Sequence, residues 1–221
     1  APVLNINKKP GHYDVLIPNM YFGDLVKWNQ TFHQRLRLSK NWTDKYSELF
    51  WRGKCGPSRK RFKLVDMNTS PIINAYCTSV KGRDRRSYQT VPKVNPEAFS
   101  DYKVLVNMPG ADKGTYSRSL QNYLLSGSAV LFWNNQHYEF YYRDLCMKTN
   151  CTVVDENNIQ HQALQFMRND VGLPIARKQM EWATNNLHPS VIACYLRDVL
   201  EIYRRLLSFE PTVPRKYIQK Y

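Results

Sequence analysis

The chain has 221 residues, of which 43% are hydrophobic, and this is enough for a substantial core in one large domain or two small ones. Its 32 Lys and Arg residues against 18 Asp and Glu give a net charge of +14. Such a charge attracts anionic partners, but it does not separate nucleic acid, anionic membrane and nucleotide sugar. No run approaches the roughly 18 apolar residues of a membrane-spanning helix, so we expect no transmembrane segment in this chain.

The basic residues are spread along the chain, with two denser clusters. The first comprises Arg52, Lys54, Arg59, Lys60, Arg61 and Lys63, and the second comprises Lys81, Arg83, Arg85 and Arg86. The sequence has no zinc-finger spacing, RNA-binding aromatic signature or basic coiled-coil region. We therefore expect a solvated face plus a basic loop, and no nucleic-acid partner, while a basic nucleic-acid-binding protein stays open as an alternative.

The first half of the chain predicts short strands that alternate with connections. Strands are predicted at residues 13–17, 49–52 and 72–78, with a basic helix at residues 58–66. Residues 1–11 form an irregular lead-in, and residues 22–38 are expected to be a surface-lying helix or a long connection rather than core. Residues 81–96 are charged and flanked by proline, which predicts a loop over the surface or over a bound ligand.

Residues 101–133 predict a βαβ unit. A strand over residues 102–108 is broken by Pro109 and Gly110, a helix follows at residues 115–125, and residues 129–133 read as a buried strand.

The turn of this unit suggests an anion site. Backbone N–H groups at a helix N-terminus have no intrahelical partner, so they and the helix dipole attract a group such as a phosphate. Arg118, in the first turn, is placed to clamp it. However, Gly110 and Gly114 do not form a G-x-G-x-x-G fingerprint, and Arg118 could equally be a solvated helix arginine.

The last third of the chain is aromatic at first and then helical. Around Glu139 lie His137, Tyr138, Phe140, Tyr141 and Tyr142. Glu139 is either an acid that accepts hydrogen bonds from ribose hydroxyls or an exposed Glu in an aromatic packing cluster. A short strand at residues 153–154 precedes helices at 156–168, 174–186 and 189–209. The parts predict an α/β, Rossmann-like sheet closed by C-terminal helices.

Cysteines and glycosylation triplets bear on the compartment. The five cysteines form no C-x-x-C pair and have no His at metal spacing, so we expect no metal site. Cys146 could pair with Cys151, and Cys55 with Cys77 if their strands are neighbours, which leaves an odd thiol. The N-x-S/T triplets begin at Asn29, Asn41, Asn68 and Asn150, and give mild support for a secretory lumen. The chain begins at Ala1 without a signal-peptide pattern, so we expect a processed or truncated start.

Three blocks carry a family resemblance. In chain order they are DVLIPNMYF at residues 14–22, LFWRGKCGPSRKRFKLVDM at residues 49–67, and YKVLVNMPGADKGTYSRSLQNYLLSGSAVLFW followed by HYEFYYRDL at residues 102–145. In this order they resemble glycosyltransferase family 90, the protein O-glucosyltransferases and capsule-associated xylosyltransferases. The resemblance implies the donor-binding half of a GT-B fold, with residues 1–48 as a lead-in and inter-domain segment and 49–221 as the nucleotide-sugar-binding domain.

The resemblance also implies an activity and a site. The activity is transfer of glucose or xylose from a UDP-sugar to a hydroxyl of a protein or glycan, with inversion, in the endoplasmic reticulum or Golgi. It needs no cofactor beyond the UDP-sugar as co-substrate and no obligatory metal. The donor-binding residues it implies are Arg52, Gly110, Thr115, Tyr116, Ser117, Arg118 and Glu139.

Three departures from the family pattern leave alternatives open. The catalytic carboxylate of the family has no counterpart that we can place in this chain. Residues 146–151 read CMKTNC where the family has a proline, tryptophan and histidine block, and Asp112 lies in the presumed phosphate loop. A catalytically inactive relative that acts as a binding module is therefore the second hypothesis.

Overall fold

A five-stranded parallel sheet forms the centre of the fold. A computed structural model of the chain describes residues 3–80, 88–110, 119–135 and 137–207. The sheet strands are β3 (Tyr46–Lys54), β4 (Ile73–Ser79), β5 (Tyr102–Asn107), β6 (Ala129–Trp133) and β7 (Val153–Val154). Their order across the sheet is β4-β3-β5-β6-β7. The expected α/β, Rossmann-like class is confirmed.

The central strands are apolar because both faces of the sheet are covered. All five residues of β6 are buried, as are the last four of β5. Such a continuous apolar run is typical of a parallel strand with helices on both sides. β5 and β6 pair in register from Val104 with Ala129 to Asn107 with Phe132, so their carboxyl ends finish side by side.

Seven helices are described on the two faces and edges of the sheet. They are α1 (Leu25–Arg37), α2 (Arg59–Asp66), α3 (Leu120–Leu124), α4 (Tyr142–Thr149), α5 (Ile159–Met167), α6 (Gly172–Asn186) and α7 (Pro189–Arg205). Alternate residues of the strands belong to two core clusters, one on each face of the sheet. Helices α2 and α5 pack into the first cluster, and helices α1, α3, α4 and α7 pack into the second. Within the described ranges, no helix is long and apolar enough to cross a membrane.

Helix α1 belongs to the core, contrary to the expectation that residues 22–38 lie on the surface. Trp28 and Phe32, one turn apart, are 3% and 1% exposed. The Trp28 Nε1 donates to the Leu187 carbonyl at 2.7 Å and so ties α1 to the end of α6. The expectation was wrong because α1 is polar on its outer face and buries only a narrow stripe.

Helix α6 crosses the sheet beside β6. Its Gln179 is fully buried, and its side-chain amide accepts from the Val130 N–H at 2.8 Å and donates to the Val130 carbonyl at 3.1 Å. Strand β7 pairs with β6 only at Phe132 and Trp133. Gln179 therefore supplies the hydrogen bonds that a longer β7 would have made at Val130.

The segment before α1 folds back along the sheet's carboxyl edge. Strands β1 (Leu4–Asn5) and β2 (Val15–Leu16) form a small parallel pair, and Lys8 forms an antiparallel bridge with Tyr138. Residues 1–11 were expected to be irregular, so β1 was missed. The boundary predicted between residues 48 and 49 stays a prediction.

The opposite, amino edge of the sheet is held by a buried lysine. Lys45, just before β3, is 5% exposed, and its Nζ donates to the carbonyls of Ser100 and Ser126 at 2.6 and 2.9 Å. Burial lowers the pKa of Lys45 to about 8. This network joins the segments that lead into β3, β5 and β6, away from the carboxyl edge.

Candidate functional site

A cleft of about 530 Å³ opens at the carboxyl edge of the sheet. It lies at the ends of β5, β6 and β7, and α4 and the residue 134–138 segment form its sides. Its described lining residues are Pro10, Asn107, Met108, Pro109, Phe132, Trp133, Asn134, Asn135, His137, Tyr138, Tyr142, Arg143, Cys146, Cys151 and Val153. Ligands of open α/β sheets bind at this edge, because loops there are free to converge on a ligand.

The strand order places a topological switch point beside this cleft. From β3 the chain goes outward to β4 and then returns to β5 on the other side of β3. Arg61 of α2 bridges the two halves, because its Nε donates to the Pro109 carbonyl at 2.9 Å and its Nη1 to the Lys54 carbonyl at 2.6 Å. Lys60 Nζ reaches across to the Asn134 carbonyl at 2.6 Å. These three hydrogen bonds fix the first turn of α2 to the ends of β3 and β5 and to the residue that follows β6.

The described lining of the cleft carries positive and no negative side chains. None of the described residues that line it is Asp or Glu, and Arg143 is among them. Burial lowers the pKa of His137, and repulsion from Lys9, His12 and Lys60 lowers it further. Those neighbours therefore concentrate positive charge at this edge, which favours an anionic ligand.

The rest of the lining is aromatic or apolar. Trp133 ends β6, and Tyr138 and Tyr142 lie on the segment that turns into α4. Flat rings with a polar tip suit a planar base and a sugar, since they provide contact area together with hydrogen-bonding groups. The arrangement fits a ligand that is partly aromatic and partly anionic.

Glu139 does not line the cleft, although Tyr138 and Tyr142 on either side of it in the sequence do. The side chain is 0% exposed, and Asn19 Nδ2 donates to its Oε2 at 2.5 Å. Burial raises the pKa of Glu139 to about 8, although hydrogen bonding by Asn19 and Tyr142 opposes the shift. Its Oε1 has no hydrogen-bond partner of normal geometry among the described residues. Of the two predictions for Glu139, the one that made it an exposed residue of an aromatic packing cluster is therefore wrong.

Arg52 lies on a face of the sheet rather than in the cleft. Its guanidinium donates to the Asn74 carbonyl at 2.7 Å and to Asn74 Oδ1 at 2.6 Å. It also lies over the rings of Phe50 and Tyr76, at 4.3 and 4.8 Å from their centroids. The structure thus does not bring Arg52 together with the residues that line the cleft, and its part in donor binding stays a prediction.

Of the remaining predicted donor residues, Gly110 is the one that the structure describes. Gly110 follows Pro109 directly at the end of β5, beside the cleft. Thr115, Tyr116, Ser117 and Arg118 lie outside the described residues, as does the second basic cluster at Lys81, Arg83, Arg85 and Arg86.

Several cleft residues were not predicted as ligand contacts. Tyr142 and Arg143 begin α4, a helix that the aromatic content of residues 136–145 concealed. Trp133 ends a buried parallel strand and Asn134 follows it directly. This position was a usable signal for both residues, because such sheets bind ligands at the carboxyl ends of their strands.

Two disulfides reinforce the same edge. Cys55 and Cys77 join the carboxyl ends of β3 and β4 with a Cα–Cα distance of 5.5 Å, and Cys146 and Cys151 close the end of α4 with 4.6 Å. Both pairings named from the sequence are confirmed, and Cys194 is a free, exposed thiol. In the part of the chain that the structure describes, no three His, Cys, Asp or Glu side chains form a metal cluster.

A parallel α/β domain with an electropositive, aromatic cleft at its carboxyl edge is the architecture of many nucleotide-binding proteins. The sequence model of glycosyl transferase family 90 matches residues 1–219. The chain therefore belongs to this family, as the three sequence blocks indicated.

Curated relatives are similar over nearly the whole chain. Protein O-glucosyltransferase 1 of Mus musculus is 24% identical over 241 residues, which cover 99% of this chain and 60% of the relative. The O-glucosyltransferase rumi of Drosophila melanogaster is 24% identical over 236 residues, covering 95% of this chain and 56% of the relative. The chain spans about 60% of the length of the curated relatives it matches.

Proposed function

We propose that this chain is the donor-binding part of a glycosyltransferase that moves glucose or xylose from a UDP-sugar to a hydroxyl of a protein or glycan. The observation that carries the proposal is the 530 Å³ cleft at the carboxyl edge of the sheet, in a chain that family 90 matches from end to end. The names of the relatives support a protein acceptor and glucose.

The cleft suits the two chemical parts of a UDP-sugar. The rings of Trp133, Tyr138 and Tyr142 offer apolar surface for the base and ribose. Arg143 offers charge-assisted hydrogen bonds to the diphosphate. The N–H groups of residues 115–117 and the Arg118 side chain, predicted from the sequence, would add further donors.

Transfer with inversion is a direct displacement at the anomeric carbon. A base takes the acceptor proton while the acceptor oxygen attacks, and the nucleoside diphosphate leaves on the opposite side. The donor part stabilises the negative charge that grows on the leaving diphosphate, and cationic side chains can do this without a metal ion. We assign no base within this chain.

Glu139 contributes to this proposal as a support for the cleft wall. Its buried carboxyl group lies between Tyr138 and Tyr142 along the chain. It accepts a hydrogen bond from Asn19 and so holds the segment before α1 against this part of the cleft. The role predicted for Glu139 from the sequence, accepting hydrogen bonds from ribose hydroxyls, stays a prediction.

The proposed location is the lumen of the secretory pathway. Four of the five cysteines pair in the structure, two of them fully buried. Structural disulfides of this kind persist in oxidising compartments and are rare where thiols are kept reduced.

UDP binding measured by calorimetry tests the proposal. We expect saturable binding, and we expect Arg143→Ala to weaken it by about 5- to 20-fold, or about 1 to 2 kcal/mol. The matched control is Arg177→Ala. Arg177 is also an exposed helix arginine, but it lines a groove at the amino edge of the sheet. The Arg177→Ala protein should therefore bind UDP with wild-type affinity. From the sequence, Arg118→Ala should weaken binding by about 1.5 to 3 kcal/mol.

Other results would point to the alternatives. If the folded chain binds no UDP, the donor site is wrong. If it binds UDP but the full-length protein transfers no sugar, the inactive relative is favoured. A nucleic-acid-binding protein would instead show a steep loss of affinity with salt and no preference for UDP.

A further inference from the structure

Four N-x-S/T triplets occur in the chain, and the structure distinguishes them. Asn29 lies inside α1. Asn68 is half-buried, its Oδ1 accepts from the Ala75 N–H at 3.1 Å, and Pro71 follows its triplet. Asn150 ends α4 in the left-handed conformation, and the middle residue of its triplet is the disulfide-bonded Cys151.

Asn41 has none of these constraints. It is exposed, as Asn29 and Asn150 are, but it has an extended backbone with φ −61° and ψ 147° and precedes a short 3-10 turn, Trp42–Asp44, without a side-chain hydrogen bond to that turn. Thr43, the third residue of the triplet, is exposed as well. Asn41 and Thr43 are exposed and only Trp42 between them is buried, so a sugar on Asn41 Nδ2 unfolds no α-helix and displaces no hydrogen bond of the Asn41 side chain to the following turn.

The surface around Asn41 has room for a sugar. Asn41 and Thr43 line a groove of about 380 Å³ together with Lys40, Asn169 and Arg177. The floor is formed in part by Trp42, which is 6% exposed and donates from Nε1 to Asn169 Oδ1 at 3.0 Å. Polar and cationic side chains around an apolar floor suit the hydroxyl and acetamido groups of a sugar.

We infer that Asn41 carries an N-linked oligosaccharide whose first sugar lies in this groove. The inference rests on the proposed lumenal location. The Asn41 Nδ2 bonds to the anomeric carbon of an oligosaccharide supplied as a lipid diphosphate. The sugar–phosphate C–O bond breaks, the lipid diphosphate leaves with the electron pair, and the amide proton passes to a base of the transferase.

This glycan is expected to leave donor binding unchanged. Asn41 precedes β3 and Gly127, also in the groove, precedes β6, so the groove lies at the amino edge of the sheet. The cleft lies at the carboxyl edge. An oligosaccharide at Asn41 therefore shields one end of the molecule and leaves the other end open to substrates.

The test uses the protein expressed in eukaryotic cells from its own coding sequence, with no added targeting signal, and treated with an amidase that removes N-glycans in ¹⁸O water. We expect the Asn41 peptide to show the heavy-oxygen Asp product. Asn41→Gln and Thr43→Ala should each remove this glycan, while Thr43→Ser should retain it. All variants should bind UDP with wild-type affinity.

Two outcomes would overturn the inference. One is an unmodified Asn41 peptide in protein whose Cys55–Cys77 disulfide is formed, which leaves the proposed location and donor site intact. The other is a protein with reduced cysteines and no N-glycan, which removes the lumenal premise. UDP affinity measured on the same preparation reports separately on the proposed function.

Discussion

Asn19 and Glu139, 120 residues apart in the chain, form a hydrogen bond in which Asn19 Nδ2 donates to Glu139 Oε2 at 2.5 Å, and both side chains are fully buried. The Asn19 amide is oriented by a second bond, because its Oδ1 accepts from the Tyr21 N–H at 2.9 Å. The donor face of the amide must therefore point to Glu139. Two of the family sequence blocks meet at this bond, behind the wall of the cleft.

This pair makes the stability of the protein depend on pH. The folded-state pKa of Glu139 is raised to about 8, mainly by burial, whereas an unfolded Glu titrates near pH 4.3. Between these values the folded state binds more protons than the unfolded state, so stability falls as pH rises through this window. We expect Glu139→Gln to remove this dependence and to be more stable than wild type at pH 8, by on the order of 2 kcal/mol.

Urea unfolding of both proteins at pH 5, 6.5 and 8 checks this prediction. The matched control is Glu156→Gln, because Glu156 is exposed and its pKa is lowered by Lys63. Its contribution is lost only as pH falls through the acid range, so the control difference should be constant from pH 6.5 to 8. A Glu139→Gln curve parallel to wild type would show that Glu139 is ionised in the fold.

The strands were predictable from sequence because their signal is local. β6 was predicted at residues 129–133 and is found at Ala129–Trp133, and β5 differs by one residue. A strand buried on both faces must be apolar throughout, and Gly, Pro or Ser then ends it. The edge of the sheet at which to look for a ligand follows from the same information.

The supporting contacts of the site could not be read in this way. Trp28 pairs with a carbonyl at Leu187, and Glu139 pairs with Asn19. Neither partner is within one turn or one strand of the other, so no periodicity records them. Glu139 illustrates the limit, because an acid among aromatic residues reads as exposed until a distant donor is shown to bury it.

The contact between Gln179 and Val130 predicts a large effect of a single side chain. Replacement by Leu keeps the size of Gln179 but leaves the buried Val130 N–H and carbonyl without partners. Each unsatisfied group costs about 1 to 3 kcal/mol, so we expect Gln179→Leu to lose about 2 to 4 kcal/mol of unfolding free energy. Urea unfolding at one pH measures this.

Two further variants show whether the lost free energy of unfolding comes from the hydrogen bonds to Val130. Gln30→Leu changes an exposed glutamine of α1 and should stay within about 0.5 kcal/mol of wild type. Gln179→Glu keeps an acceptor for the Val130 N–H but cannot donate to the carbonyl when ionised. If Gln179→Leu were as stable as its control, Gln179 would not close the edge of β6.

The two disulfides are expected to differ in what they stabilise. Cys55–Cys77 spans 22 residues and Cys146–Cys151 spans 5. Chain entropy then predicts that the paired Ser replacement costs about 3 kcal/mol at the first and about 2 kcal/mol at the second. Cys194→Ser, at an exposed free thiol, should be neutral and is the control.

UDP binding should depend more on the Cys146–Cys151 disulfide than on Cys55–Cys77, the reverse of their order for stability. Cys146 and Cys151 line the cleft and hold the end of α4, whose first turn carries Tyr142 and Arg143. Their removal is expected to weaken UDP binding more than removal of Cys55–Cys77, although it costs less stability. Calorimetry on folded samples of both variants gives the comparison. Equal affinities would show that the α4 end does not shape the donor site, and the cleft would then have to be bounded by its other walls.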